Sequence, residues 1–156
     1  MLVCLTMILA AALCGRAFAA CGFVTPNDPE IAASSDSEAI QAAIGLAAEK
    51  GLGQVTVPRM NARTGKPLWE IEKCILIPSD MTVILDGCHL RMADGVFDNM
   101  FRNSLTYTPE GNTREGTERN IRLIGKNGAV LDGGEPNGLN EFTSGKTACP
   151  PNSPIC

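Results

Sequence analysis

Polar and apolar positions change period along this chain, and each change predicts an element. After a segment containing Pro and Asp, Ala39, Ile40, Ala43, Ile44 and Ala47 recur at helical spacing and form one narrow apolar stripe. Ser35-Asp36-Ser37-Glu38 in front of the stripe reads as a capping box. In that motif the Ser35 hydroxyl accepts from the Glu38 N–H while the Glu38 carboxylate reaches back to the N–H of Ser35. Gly51 is placed to end the helix. The pattern therefore predicts an amphipathic helix over 36–50 that must lie on something apolar.

Beyond Gly51 the period shortens to that of strands. Gln54 to Val57, Trp69 to Ile71, Ile75 to Ile77, Thr82 to Leu85 and Cys88 to Met92 are short apolar or alternating runs. Asn120 to Ile124 and Ala129 to Leu131 continue the style. Turn residues separate them: Pro58, Pro78-Ser79-Asp80, Asp86-Gly87 and Gly125-Lys126-Asn127-Gly128. The stretch from Thr106 to Arg119 is polar and reads as an exposed loop. No helices alternate with these strands, which argues against a doubly wound sheet. One internal echo sharpens the reading. Thr82 to Gly87 followed by Cys88-His89-Leu90 resembles Ile121 to Gly125 followed by Ala129-Val130-Leu131. Strand–corner–strand repetition is the mark of a solenoid, whose coils bury their inward faces only against neighbouring coils. The helix then has a task, which is to cover the apolar end and the unpaired strand edges of the first coil.

Composition narrows the class. The chain has 156 residues, one domain by size, and a net charge of -4 with no Lys/Arg cluster, which argues against nucleic acid as a partner. Aromatic residues make up only 4%, so the core must rest on Ile, Leu, Val, Met and Ala. Leu2 to Cys14 is an apolar run too short for a stable membrane span, and Ala17-Phe18-Ala19 has the small-x-small pattern of a signal-peptidase site. Residues 1–20 are thus expected to be a signal peptide of a secreted or periplasmic protein. No Lys or Arg precedes the run, which leaves a misassigned start codon open, and Phe18-Ala19-Ala20-Cys21 leaves a lipoprotein anchor open. The seven cysteines contain no C-x-x-C pair and His89 is the sole histidine, so neither a zinc site nor any other metal or cofactor is expected. Cys74 and Cys88 read as small hydrophobes within strands.

Three stretches together resemble a known family: Asp36 to Ile44, then Val55-Thr56-Val57-Pro58, then Ile75 to Gly87. They look like the opening of the pectate lyase-like β-helix superfamily, in the style of the family 28 glycoside hydrolases (polygalacturonases). Asn120 to Gly125 with Val130 to Gly134 is similar to the next coil. The resemblance covers 36–140. It implies a mainly β fold, a right-handed parallel β-helix, present here as a capping helix and the first coils of a truncated solenoid over 21–140. It implies a carbohydrate-active protein whose partner is a pectin-type polysaccharide, cleaved by hydrolysis or elimination in the full-length form. A structural or carbohydrate-binding β-helix, such as a phage tailspike or surface protein, is the alternative. The irregular tail, 141–156, has no strand pattern. One inserted base near Lys146 would let Thr147-Ala148-Cys149-Pro150 read Asp-Gly-Leu-Pro, so a frameshift is expected there. An open last coil would favour self-association.

The family's hydrolases are expected to use paired aspartates with a histidine and a basic residue on later coils, and no residue here matches that constellation. No catalytic, cofactor-binding or metal-binding residue is therefore carried over. Asp86 and Asp132 are tempting as a stacked carboxylate pair, but each reads as a corner residue bonding turn amides. His89 reads as a solvated, outward side chain. Ser144-Gly145-Lys146-Thr147 imitates a P-loop but has Asn140 where that loop needs Gly, and Pro150-Pro151 where it needs a helix. Gly51-Leu52-Gly53 imitates a dinucleotide fingerprint but leads into a strand. Mass spectrometry of the protein from its host should find a new N-terminus near Ala20 or Cys21. An intact Met1 in a cytosolic fraction contradicts export.

Overall fold

The structure, a computed structural model, describes residues 23–134 apart from Phe97 and Arg114. The expected signal peptide and the irregular tail lie outside the described residues. One helix, α1 (Asp36–Glu49), precedes eight strands: β1 (Gln54–Pro58), β2 (Trp69–Ile71), β3 (Ile75–Ile77), β4 (Thr82–Asp86), β5 (His89–Met92), β6 (Phe101–Asn103), β7 (Arg122–Lys126) and β8 (Val130–Asp132). A 3-10 turn over Pro109–Asn112 lies between β6 and β7.

Strand pairing follows a rule of three. The ladders are β1-β4-β7, β2-β5-β8 and β3-β6, and every pairing between these strands is parallel. Gln54 faces Thr82, which faces Arg122, and Leu90 sits between Trp69 and Leu131. The echo seen in the sequence is thus a true register, with His89-Leu90 aligned on Val130-Leu131.

Period-two alternation sends one side of each ladder inward. Val55, Val57, Val83 and Leu85 from the first ladder, Trp69, Ile71, Leu90 and Met92 from the second, and Ile75 and Ile77 from the third form one buried cluster. Trp69 buries its ring and donates Nε1–H to the Pro58 carbonyl at 2.8 Å, so its polar atom is satisfied. At the far layer the columns end in Leu123 and Leu131, which are 41% and 51% exposed. That layer has no third strand among the described residues.

The near layer is closed by α1, which packs on β1, β2 and β3, the first strand of each ladder. Ile40, Ala43, Ile44 and Ala47 supply its buried stripe. A Schellman turn ends the helix: Gly51 N–H bonds to Ala48 O at 3.1 Å and Leu52 N–H to Ala47 O at 2.9 Å, with Gly51 at φ +65°. At the other end Ser35 Oγ accepts from Glu38 N–H as expected. The second half of the capping box differs. The Glu38 carboxylate turns outward to the N–H and hydroxyl of Ser34 and to Lys73 Nζ at 3.1 Å, because Lys73 offers it a charge from the turn before β3.

Among the described residues no earlier strand pairs with the first strands, and polar side chains of α1 take that place. Asp36, 3% exposed, accepts from Glu70 N–H at 2.8 Å, from Asn61 Nδ2 at 2.6 Å and from the Arg63 guanidinium at 2.6 Å. Ser37 Oγ accepts from the N–H groups of Glu72 and Lys73. Gln41 uses both ends of its amide on Leu76, accepting from its N–H at 2.8 Å and donating to its carbonyl at 3.1 Å. Val24 completes the set by accepting from Thr56 N–H at 2.9 Å.

Two features of the strand-like region went unread in the sequence. β6 forms from Phe101-Arg102-Asn103, which carries one large apolar residue and no alternation. It exists because β3 needs a parallel neighbour, and Phe101 lies against Ile75. The loop 106–119 is anchored rather than free. Glu118 accepts from the hydroxyls of Ser79 and Ser104 and from Ser79 N–H at 2.6 Å.

Asp36→Ala should lower the free energy of unfolding by about 3 kcal/mol, because it strands a buried amide, a strand N–H and a guanidinium at once. Urea unfolding checks this, and a loss under 1 kcal/mol would show that the first layer does not depend on Asp36. The Glu38 carboxyl is drawn down to about 2, first by the Ser34 hydroxyl and then by Lys73. Its contribution should therefore hold above the ordinary value of 4.5 and be lost as pH falls from there toward 2.

Candidate functional site

The alternation that buries Leu90 and Met92 turns His89 and Arg91 to the outer side of the second ladder. Register then sets Arg91 beside Asp132 of the next layer and His89 beside Val130. His89 Nε2 lies 3.3 Å from Asp132 Oδ2, Arg91 Nε lies 3.8 Å from the same oxygen, and Arg91 binds Asp94 at 2.8 Å. Glu70 continues the outward column on β2, in register with Arg91. His89 is outward and half-exposed, as expected, but it is not isolated: with Asp132 it forms the one His–carboxylate pair among the described residues. The signal was present in the sequence. Aligning Cys88-His89-Leu90-Arg91 on Ala129-Val130-Leu131-Asp132 places the aspartate beside these two bases.

Asp86 and Asp132 do not meet as a pair. Asp86 ends β4 in the first ladder, between Pro58 and Lys126, whereas Asp132 ends β8 in the second. Asp132 is a corner residue as read, accepting from Gly134 N–H at 2.8 Å. Asp86 accepts instead from the side-chain amide of Asn127 in the following layer at 2.5 Å. Asp80 repeats that bond one corner earlier, accepting from Asn120 Nδ2 at 2.7 Å. Asp80, Asn120 and Asn127 all have φ between +51° and +59°, a left-handed turn that Asn and Asp tolerate best after Gly. Gly87 also turns left-handed, and a side chain there would press on the Asn127 carbonyl at 3.3 Å.

The electrostatics limit what these groups can do. The Gly134 N–H, then the His89 hydrogen bond and the Arg91 charge, hold the Asp132 carboxyl below the ordinary aspartate range against the opposing effect of burial. Burial raises Glu118, but its bonds from Ser104 and Ser79 outweigh that and lower it overall. Every described carboxylate whose pKa is displaced is displaced downward. A glycosidic general acid requires the reverse, a carboxyl kept protonated near neutrality. Asp132 can orient His89 or accept a proton, but it cannot donate one at neutral pH. The Cys88 thiol is pushed up to about 11 by burial, and burial raises Cys74 as well, so neither offers a thiolate nucleophile.

Elsewhere the described surface holds a shallow depression of about 350 Å³ lined by Phe23, Val24, Pro29, Lys50 and Leu52, beside the end of α1. Asp28 and Glu30 also line it, and Lys50 is bound to Glu30 at 2.9 Å. Among the described residues no group of three or more His, Cys, Asp or Glu converges as a metal site, and no helix is long and apolar enough to cross a membrane. The chain matches no protein-family model, no curated protein and no solved structure.

Carbon-detected titration of Asp132 should give a midpoint below 3.8. His89→Ala should raise it only part of the way back, since the Gly134 bond remains. The pair should therefore stabilise the fold above the ordinary aspartate value, with that contribution fading as pH falls through the lowered midpoint. A midpoint at or above 3.8 would mean that Asp132 is unpaired in solution.

Proposed function

We propose that this chain forms the capped first turns of a right-handed parallel β-helix, the N-terminal part of a secreted carbohydrate-active protein that handles pectin-type polysaccharide. One observation carries the reading: each of β1 to β5 pairs in parallel with the third strand after it, and a helix closes the near layer. A chain that advances one layer every three strands is a solenoid, and its outer ladders present long regular faces suited to a linear polymer. The resemblance of Asp36 to Ile44 and Ile75 to Gly87 to polygalacturonase-like openings supplies the substrate class. Further coils would stack on β7 and β8, where Leu123 and Leu131 are exposed, and that layer left uncovered favours self-association.

Cleavage chemistry belongs to those further coils. A structural or carbohydrate-binding β-helix, such as a phage tailspike or surface protein, is the second reading. Purified chain incubated with polygalacturonate, with or without calcium, should release neither reducing ends nor unsaturated products. It should nevertheless be retarded in gels that contain acidic plant polysaccharide. Turnover above a buffer blank that Asp86→Ala or Asp132→Ala abolishes would contradict the absence of chemistry here. Unchanged mobility in every polysaccharide gel would sink the carbohydrate reading.

A further inference from the structure

Two corners of the far layer are built alike. Arg119-Asn120 leads into β7 and Lys126-Asn127 leads out of it. In each, a backbone N–H of the layer before bonds to the first residue's carbonyl, Asp80 N–H to Arg119 at 2.9 Å and Gly87 N–H to Lys126 at 3.0 Å. In each, the asparagine is left-handed, φ +56° at Asn120 and +51° at Asn127. Each asparagine Nδ2 then donates to an aspartate of that earlier layer, Asp80 at 2.7 Å and Asp86 at 2.5 Å.

The corners differ in the residue that follows. Asn120 precedes Ile121, a β-branched residue packed against the core. Asn127 precedes Gly128, which is exposed and has no atom within 4 Å of where a Cβ would lie. Asn127 and Gly128, at φ +51° and +75°, are the central residues of a type I′ turn closed by Ala129 N–H on the Lys126 carbonyl at 3.0 Å. The Gly128 nitrogen is thus open to approach, whereas the Ile121 nitrogen is shielded by its own branched side chain.

We propose that Asn127 is a self-modification site, where this corner converts its own asparagine to aspartate or isoaspartate at a rate that Asp86 controls. The Gly128 nitrogen attacks Asn127 Cγ and gives its proton to solvent. The new C–N bond closes a cyclic imide, and the side-chain nitrogen leaves as ammonia. Water then adds at either imide carbonyl and breaks one of the two C–N bonds, which leaves aspartate or isoaspartate. Water is the sole co-reactant. Donation of Nδ2 to the Asp86 carboxylate pushes electrons into the amide and weakens Cγ as an electrophile. Ring closure also requires the side chain to turn, so it starts from the unlatched corner.

The product removes a latch and adds a charge. A carboxylate at position 127 has no proton to give Asp86, and two like charges then face each other across the layers. Isoaspartate also adds a main-chain carbon to the corner between β7 and β8. The corner therefore keeps an irreversible record of the time it has spent open. This inference stands on the two corners alone and is independent of the polysaccharide reading.

Ageing the whole chain in neutral buffer tests it, with proteolytic fragments sequenced by tandem mass spectrometry and a free peptide spanning 124–130 aged alongside as the clock. The wild type should convert at Asn127, more slowly than the peptide, while Asn120 stays intact. Asp86→Ala should convert about tenfold faster at Asn127, as expected for losing one hydrogen bond to a charged acceptor. Asp86→Asn, which keeps the shape and a neutral acceptor, should fall between the two. Asn127→Asp, which mimics one product, should exchange the Gly87 and Val130 amide protons on either side of the corner faster than the wild type does. Asn127 intact in the wild type once the peptide has converted completely overturns the site. Equal rates in the wild type, Asp86→Ala and Asp86→Asn overturn control by Asp86. Conversion of Asn120 as fast as Asn127 overturns Gly128 as the determinant, and unchanged amide exchange in Asn127→Asp overturns the opening of the corner.

Discussion

The first layer of a stacked parallel structure must satisfy backbone groups that every later layer satisfies by pairing, and the remainder of this fold depends on how that is done. Glu70, Glu72, Lys73 and Leu76 direct N–H groups toward a position that no earlier strand occupies among the described residues. Asp36, Ser37 and Gln41 on α1 meet them with a carboxylate, a hydroxyl and an amide. The cost of leaving such donors dry is about 1–3 kcal/mol each, so three side chains on the helix decide whether the layer forms. The same helix covers Val55, Ile71 and Ile75 with its apolar stripe, so burial and hydrogen bonding are secured by one element.

Stacking then propagates without new devices. Val55, Val83 and Leu123 form one column, and Trp69, Leu90 and Leu131 another, each layer offering the next the surface it received. Corners are held by the amide–carboxylate bonds Asn120–Asp80 and Asn127–Asp86. The first ladder thus holds its acids by neutral amides, whereas along the second Arg91 lies between Asp94 and Asp132. The second ladder also holds the His89–Asp132 pair, whose carboxylate is held below the ordinary aspartate range.

Much of this was legible in the residues themselves. Local signals are strong where a single element satisfies itself: the stripe from Ala39 to Ala47, the Ser35 cap, the Gly51 stop, and the alternation in Gln54 to Pro58 and Thr82 to Asp86. The echo of Cys88-His89-Leu90 in Ala129-Val130-Leu131 even carried the register, because a parallel ladder aligns like residues. What escaped were features set by a partner distant in the chain. β6 is a strand because β3 has an open edge, not because Phe101-Arg102-Asn103 favours one. Glu38 left Ser35 for Ser34 because Lys73 arrives from elsewhere.

Asp36 makes the division plain. By itself the sequence determined that this aspartate opens a helix with one apolar face, since capping and periodicity act within a few residues. Only the tertiary structure decided that its side chain turns inward to Asn61, Arg63 and Glu70. It likewise decided that Asp86 and Asp132 end different ladders, and that Asp132 meets His89 and Arg91. Those outcomes depend on which strand lies beside which, and pairing across layers is set by the shared burial of many residues rather than by any short pattern.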